Sequence, residues 1–401
     1  MSLSSPHKQR LRCLSLGILT LAGSSTATAI EVSDQLSVHG FVSQSYVHTA
    51  GNNYFGDSQD GSFDYRELGI NAYWQPTADL SFAGQLLSRS AGNLSDGDPR
   101  IDYLLADYSI GKNPDLWGGV RLGRFKTPYG FYNQTRDIPH ARLGVIAAPS
   151  VYFEQLRDTL LATDGLNLYA GSVNSWGTLE LDMFAGKAKG GVAELEYFAL
   201  QTDAPGEFDS IDVWGAQIRY EPIGGQTRFA FSIYEPDLQY LPGSPDPFEP
   251  GTVESTAYLL SAQYNAERWS LTTEYSRMEN DLAGFGPRFP SKEGVSEAWY
   301  LQGEYHLSSE WTLMLRYEEQ YLDTADRKGT RLYEPVFGIA HLAFSKGIAA
   351  GVRWIPAPDW VIKGELHHTD GTLWLPKQDN KSIAEREKVW NFFALQFVYS
   401  F

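Results

Sequence analysis

The densest set of side chains able to do chemistry lies between residues 127 and 163 (TPYGFYNQTRDIPHARLGVIAAPSVYFEQLRDTLLAT), where Arg136, Asp137, His140, Arg142, Glu154, Arg157 and Asp158 bring both signs of charge together. Arg124 and Lys126 lead directly into this stretch. Charges of this kind, placed where a passage is narrow and its surroundings have a low dielectric constant, sort solutes by sign. The other chemistry within reach is nucleophilic, with His367 and His368 beside Ser345 or Ser276. No G-x-S-x-G spacing accompanies them. No H-E-x-x-H or nucleotide-binding motif occurs, and the single cysteine is Cys13. Catalytic residues, metals and cofactors are therefore not expected.

The elements around these residues alternate with period two, which sends successive side chains to opposite faces of a strand. In Trp311–Glu318, one face carries Trp311, Leu313, Leu315 and Tyr317, and the other Thr312, Met314, Arg316 and Glu318. Trp269–Ser276 repeats the scheme with Glu274 on its polar face, and Trp360–His367 does so with Lys363 and Glu365. Tight turns precede these strands, at residues 265–268, 307–310 and 355–359, and further turns fall at 75–79, 111–116, 172–177 and 221–226. Longer polar loops separate them, for example residues 235–253, 277–294 and 370–388. Seven turns and eight loops delimit sixteen strands.

The first 29 residues read as a secretory leader. His7, Lys8, Arg10 and Arg12 precede a short apolar run, Cys13 to Ala22, and Ala27-Thr28-Ala29 supplies the small-x-small cleavage site before Ile30. Removing the leader takes three cations from a chain whose net charge is already −17. Nucleic-acid phosphates would repel such a chain. No composition break or low-complexity tract divides residues 30–401, and no run of 18 apolar residues occurs in them, so helical membrane spans are excluded.

The apolar faces begin in Trp269, Trp311 or Trp360 and finish in Tyr275, Tyr305 or Tyr317. Aromatic rings at both ends of an apolar band suit two membrane–water interfaces. Strands of about nine to eleven residues would cross a bilayer when tilted, and closure into a barrel leaves no unpaired edge in lipid. The expected fold is an all-β, 16-stranded antiparallel transmembrane β-barrel with short periplasmic turns and long extracellular loops. Polar-face charges that would line its interior are Arg219, Arg228, Arg316, Arg353 and Lys363, with Glu180, Asp182, Glu274, Glu304, Glu318 and Glu365. Sixteen to eighteen strands leave an aqueous channel.

The closing strand, WNFFALQFVYSF, places Phe393, Leu395, Phe397, Tyr399 and Phe401 on one face. It resembles the last strand of Gram-negative outer-membrane proteins, whose terminal aromatic pattern implies reading by the barrel-assembly machinery at Phe397, Tyr399 and Phe401. The opening strand LSVHGFVSQSY (Leu36–Tyr46) and VRLGRFKTPYG (Val120–Gly130) are similar to the first strand, and to the fifth strand and start of the third loop, of the porin superfamily of general and phosphate-selective-like barrels. That resemblance implies a passive pore, a homotrimer in outer-membrane lipid, and a third loop, here residues 127–163, folded inward as a constriction. Its apolar stretches Val145–Ala148 and Val151–Phe153 suit a loop packed on the wall. On this reading Arg124, Lys126, Arg136, His140, Arg142, Glu154, Arg157 and Asp158 line the constriction. The basic members Arg124, Lys126, Arg136, Arg142 and Arg157 lean toward anionic solutes. Acidic residues such as Glu207, Asp237, Asp246 and Glu249 fall in outer loops, too far to act through a screening length of roughly 8 Å. Lipopolysaccharide is expected as a partner through divalent ions bridging to acidic outer-loop residues such as Asp237 and Glu249. An outer-membrane barrel enzyme and a structural or adhesive barrel are the alternatives.

Overall fold

The computed structural model describes residues 30–142, 147–191, 193–200, 204–287, 289–331 and 333–401. The expected leader, and Val145 and Ile146 of the apolar stretch, lie outside these.

A short strand, β1 (Ile30–Ser33), pairs with the start of β2 (Leu36–Ala50). The ring then runs through β3 (Arg66–Trp74), β4 (Leu80–Ser90), β5 (Asp96–Asn113), β6 (Leu116–Lys126), β7 (Ala162–Asn174), β8 (Gly177–Ala188) and β9 (Glu207–Pro222). It continues through β10 (Thr227–Leu241), β11 (Thr252–Asn265), β12 (Trp269–Ala283), β13 (Lys292–His306), β14 (Trp311–Tyr321), β15 (Phe344–Ala357), β16 (Trp360–Gly371) and β17 (Val389–Ser400). Every neighbouring pair is antiparallel, and β17 returns to β2 with Asn391 opposite Ala50 and Ser400 opposite Phe41. Gly40 and Phe401 exchange backbone hydrogen bonds of 2.9 and 3.0 Å at the seam. Sixteen strands thus close a barrel, with the expected seven turns at one end and eight loops, L1 to L8, at the other.

The exterior follows from the alternation. Outward positions such as Leu104, Leu122, Leu260, Leu315 and Leu366 are exposed apolar side chains. At the turn end, outward aromatics pair across neighbouring strands: Trp74 with Phe82 at 5.3 Å, Trp311 with Trp354 at 5.2 Å and Trp360 with Tyr399 at 5.0 Å. Toward the loop end a second belt includes Trp299 with Tyr317 at 5.6 Å and Tyr46 with Phe63 at 5.1 Å. An apolar band between two aromatic girdles is the surface a bilayer requires.

Two expectations about the strands need correction. Lengths run from 9 residues in β3 to 18 in β5, beyond the nine to eleven a bilayer needs. The loops placed at residues 235–253 and 277–294 are shorter, because β10 continues to Leu241 and β12 to Ala283. Their inward residues Leu238, Tyr240, Met278 and Leu282 stay apolar and buried, whereas outward charges had made the segments read as loop. Above the upper girdle those charges form a row: Asp212, Asp237, Glu254, Asp281 and Glu293 stand directly opposite one another across β9 to β13. Like charges in direct register destabilise a sheet by roughly 0.2–1 kcal/mol per pair. Glu254→Gln should therefore raise the melting temperature at low ionic strength, with the gain shrinking in high salt. Thermal unfolding at two salt concentrations checks this.

The lumen is filled at mid-height by the loops. Residues of L3 and L4 join the inward faces of β8 to β13 in one apolar cluster, and L1 and L8 pack on β2 and β17 in another. Wall residues Ser45, Glu274, Arg316 and Gln396 are fully shielded from solvent.

Candidate functional site: the third loop in the lumen

L3 leaves the wall at Thr127 and rejoins it at Leu161, where the Thr127 amide donates to the Leu161 carbonyl at 3.1 Å. Its outgoing and returning segments run side by side: the Tyr132 amide donates to Tyr152 Oη at 2.9 Å, and Asn133 Nδ2 to the Leu160 carbonyl at 3.2 Å. Gly130 has φ +60°, and a Cβ there would meet Tyr152 Oη at 2.4 Å and Glu274 Oε1 at 2.8 Å. Only glycine permits the loop to come this close to β12. The return begins with Phe153 at φ 37°, a left-handed turn without glycine, and ends in a single helical turn, α1 (Arg157–Leu160).

On the β9 to β13 side the loop is pinned by neutral groups around one carboxylate. Glu274 accepts from the Phe131 amide at 2.9 Å, Tyr152 Oη at 2.6 Å, Ser261 Oγ at 2.6 Å and Tyr300 Oη at 2.8 Å. Gln217 Nε2 donates to the Gly130 carbonyl at 2.8 Å. Arg228 lies over the Phe131 ring, 4.4 Å from its centroid, and donates to Tyr132 Oη at 3.3 Å.

Toward β3, β4 and β5 the loop is held by alternating charges. Glu154 receives Arg89 at 2.5 Å and Arg136 at 2.6 Å, with Arg157 at 3.8 Å. Asp137 contacts both Arg157 and Lys126, and Lys126 also contacts Asp102. Asp158 pairs with Arg100 and Lys189, each at 3.0 Å. Burial alone would raise the Asp158 carboxyl, but Arg100, Arg157 and Lys189 hold it well below the usual carboxylate range. Arg142 reaches Glu67 of β3 and donates to Tyr65 Oη at 2.9 Å.

The far wall is met through single polar contacts. Lys363 donates to the Pro139 carbonyl, His140 Nδ1 lies 3.2 Å from Ser400 Oγ, and Glu318 accepts from the Ser150 amide at 2.8 Å. Arg316 donates to the Ala147 carbonyl at 3.3 Å. Burial, then the positive charges of Lys363, Arg353 and Arg142, push the His140 imidazole down to about 4. It is uncharged at neutral pH.

All of the expected wall charges point inward. Arg219 pairs with Glu180 at 3.2 Å and Asp182 at 3.3 Å, and Glu304 accepts from Gln302 at 2.8 Å. Arg228 and Arg353 have no carboxylate within 4.0 Å among the described residues. The constriction set needs more correction. Arg124 faces outward, in register with Leu104, and pairs with Asp164 at 2.5 Å. Lys126, Arg136, Arg142 and Arg157 do lie inside, yet each is consumed by a carboxylate. Their positive sign is therefore cancelled locally. Burial forces this outcome, since an unpaired charge there would cost several kcal/mol. The loop lies inside the barrel as expected, bonded to opposite walls, and its charges are matched there.

Sequence reasoning passed over Glu67, Arg89, Arg100, Asp102 and Arg121. Glu67 and Arg89 stand at inward positions of β3 and β4, near strand ends that also read as loop, while a register shift in β5 after Gln85 hides Asp102. Arg121 donates to Asp107 at 3.0 Å and lies 4.2 Å over the Tyr169 ring. Of the residues considered for catalysis, His367 Nε2 meets Glu365, Ser345 Oγ accepts from the Trp374 amide at 2.9 Å, and no hydroxyl among the described residues bonds His367.

No family model matches the chain, and no curated protein matches it. Solved structures do. An anion-selective porin from Comamonas acidovorans superposes with a TM-score of 0.55 at 12% identity, covering 91% of this chain and 99% of that one. The outer membrane channel DcaP of Acinetobacter baumannii gives 0.55 at 12% identity, covering 91% and 97%. In-vitro folded OmpT, an outer membrane protein of Vibrio cholerae, gives 0.55 at 12% identity, covering 94% and 100%. The chain has the fold of outer-membrane porins.

Proposed function

We propose that this chain is an outer-membrane channel for passive diffusion of ions and small hydrophilic solutes, and that it is not an enzyme. The observation that carries this reading is L3, folded through a closed barrel and bonded to opposite walls whose inward faces are rich in charged and amide side chains. A barrel serving only as scaffold would have no need of so many costly buried ion pairs. The filled mid-lumen favours a narrow passage that opens by local displacement of loops over a wide permanent one. Export by the 1–29 leader rests on its basic, apolar and Ala27-Thr28-Ala29 segments, and lipopolysaccharide as a neighbour on the outer-loop carboxylates. Recognition of Phe397, Tyr399 and Phe401 by the assembly machinery and a homotrimeric state rest on the family resemblance.

Selectivity is proposed to lean toward anions. The support is no longer the L3 cations but Arg228 and Arg353, which face the lumen on the turn side of L3 without a carboxylate partner. In a membrane bathed by asymmetric potassium chloride, the wild type should show a modest anion preference. Arg228→Gln combined with Arg353→Gln should move the reversal potential toward cation selectivity. An unchanged potential would remove both residues from the account. Hydrolysis of lipid or peptide by a protein that leaves bilayers sealed would instead favour the enzyme.

A further inference from the structure

The two halves of the filled lumen are unlike. From β8 to β13 the loops meet apolar side chains, among them Phe184, Val213, Tyr234, Ala257 and Leu259. On β14 and β16 they meet polar columns. Arg316, Glu318 and Gln320 climb β14, and Glu365 and His367 climb β16. Between them, at the same height, β15 presents the small residues Ser345, Gly347 and Ala349 to the interior, a strip of short side chains between two polar columns that forms the floor of a furrow in the wall.

The charges of that furrow answer one another. Arg316 lies 3.6 Å from both Glu318 and Glu365, and His367 Nε2 contacts Glu365. Apart from Arg316 Nε, what lacks a hydrogen bond there is neutral. Both side-chain atoms of Gln320, His367 Nδ1, Tyr54 Oη, Trp374 Nε1 and Ser150 Oγ are shielded and have no hydrogen-bond partner among the described residues. None of these five residues is more than 4% exposed. They are contiguous: the Tyr54 and Trp374 rings stack at 4.8 Å and those of Trp374 and His367 at 5.5 Å, and Ser345, which bonds the Trp374 amide, stands opposite Gln320 in the ladder. Native proteins rarely leave so many buried polar atoms unmet, and a concentration of them signals a polar guest. Thr372, Leu373 and Leu375 of L8 also border a cavity of about 40 Å³, shared with Gln155 and with Tyr197 and Phe198 of α2 (Ala193–Leu200).

We propose that solutes cross the barrel along this furrow, and that Gln320, His367, Tyr54, Trp374 and Ser150 select small solutes bearing hydroxyl or amide groups. This rests on the channel reading. A neutral solute of that class meets donors and acceptors that protein groups leave open, whereas a fully desolvated ion finds the furrow's charges already matched. In the opposite half the apolar cluster packs on L3, and the polar groups there, Glu274 and Gln217, are taken up in bonds to the loop.

Single cysteines introduced into a Cys13→Ser background test the route. In liposomes diluted into isosmotic glycerol, Ala349→Cys treated with a small neutral methanethiosulfonate should swell severalfold more slowly than before treatment. Ala257→Cys, in the apolar half, should be unaffected. Gln320→Leu, which needs no chemical modification, should also slow glycerol entry while leaving the salt reversal potential in place. Slowing at Ala257→Cys alone, or wild-type swelling that neither cysteine nor Gln320→Leu alters, would overturn the route. Wild-type liposomes that do not swell at all would overturn the channel reading beneath it.

Discussion

Replacing Glu154 with glutamine should release L3 from the β4 side of the barrel and raise conductance. Glu154 is the shared partner of Arg89, Arg136 and Arg157, all of them buried. Removing its charge leaves three guanidinium groups to Glu67, the Tyr152 carbonyl, Asp137 and, at 3.8 Å, Asp158. Breaking a buried pair by deleting one partner costs about 3–5 kcal/mol. Since every 1.4 kcal/mol is tenfold, amide hydrogen exchange across L3 should accelerate roughly a hundredfold or more, while exchange in β9 to β17 stays slow because the ladder is untouched. Unchanged protection of residues 127–142 and 147–161 would show that the charge network does not hold the loop.

The second large effect is expected on the opposite wall. Glu274→Ala strands the Phe131 amide and the hydroxyls of Tyr152, Ser261 and Tyr300 together. A buried donor left without its acceptor costs about 1–3 kcal/mol, and the four losses share one site, so they will not simply add. We expect a clear fall in melting temperature together with larger and more frequent open events, and partial rescue by Glu274→Gln, which keeps a carbonyl acceptor. Glu304→Gln is the control, since among the described residues Glu304 accepts the one side-chain bond from Gln302. Equal behaviour of Glu274→Ala and Glu304→Gln in thermal unfolding would mean that the four-bond hub carries no special weight.

The barrel was legible in the sequence because its signal is periodic and local. Trp311, Leu313, Leu315 and Tyr317 announce a lipid face without reference to any distant residue, and the same parity sends Arg219, Arg228, Arg316, Arg353 and Lys363 inward. The site was legible only in part. That L3 enters the lumen follows from Val151 to Phe153, apolar residues an exposed loop has no reason to carry. Which charges face solutes did not follow, because pairing depends on contacts far apart in the chain. Arg142 and Glu67 illustrate this, as do Ser150 and Glu318. Arg124 misled because the strand leading into the loop carries three glycines and three cations in close succession, and only the ladder with Leu104 and Asp164 fixes its outward parity. The furrow was invisible for a related reason. Gln320, His367 and Tyr54 are ordinary polar residues until three strands and two loops bring them together.

The account's central claim is that a porin-type barrel, occluded at mid-height by its third loop, still passes solutes when that loop yields. Planar-bilayer recording of the detergent-purified chain tests it most directly. Small, brief openings that become larger and longer-lived with Glu154→Gln are the predicted result. A bilayer that stays electrically silent with both proteins, despite verified insertion, would contradict it.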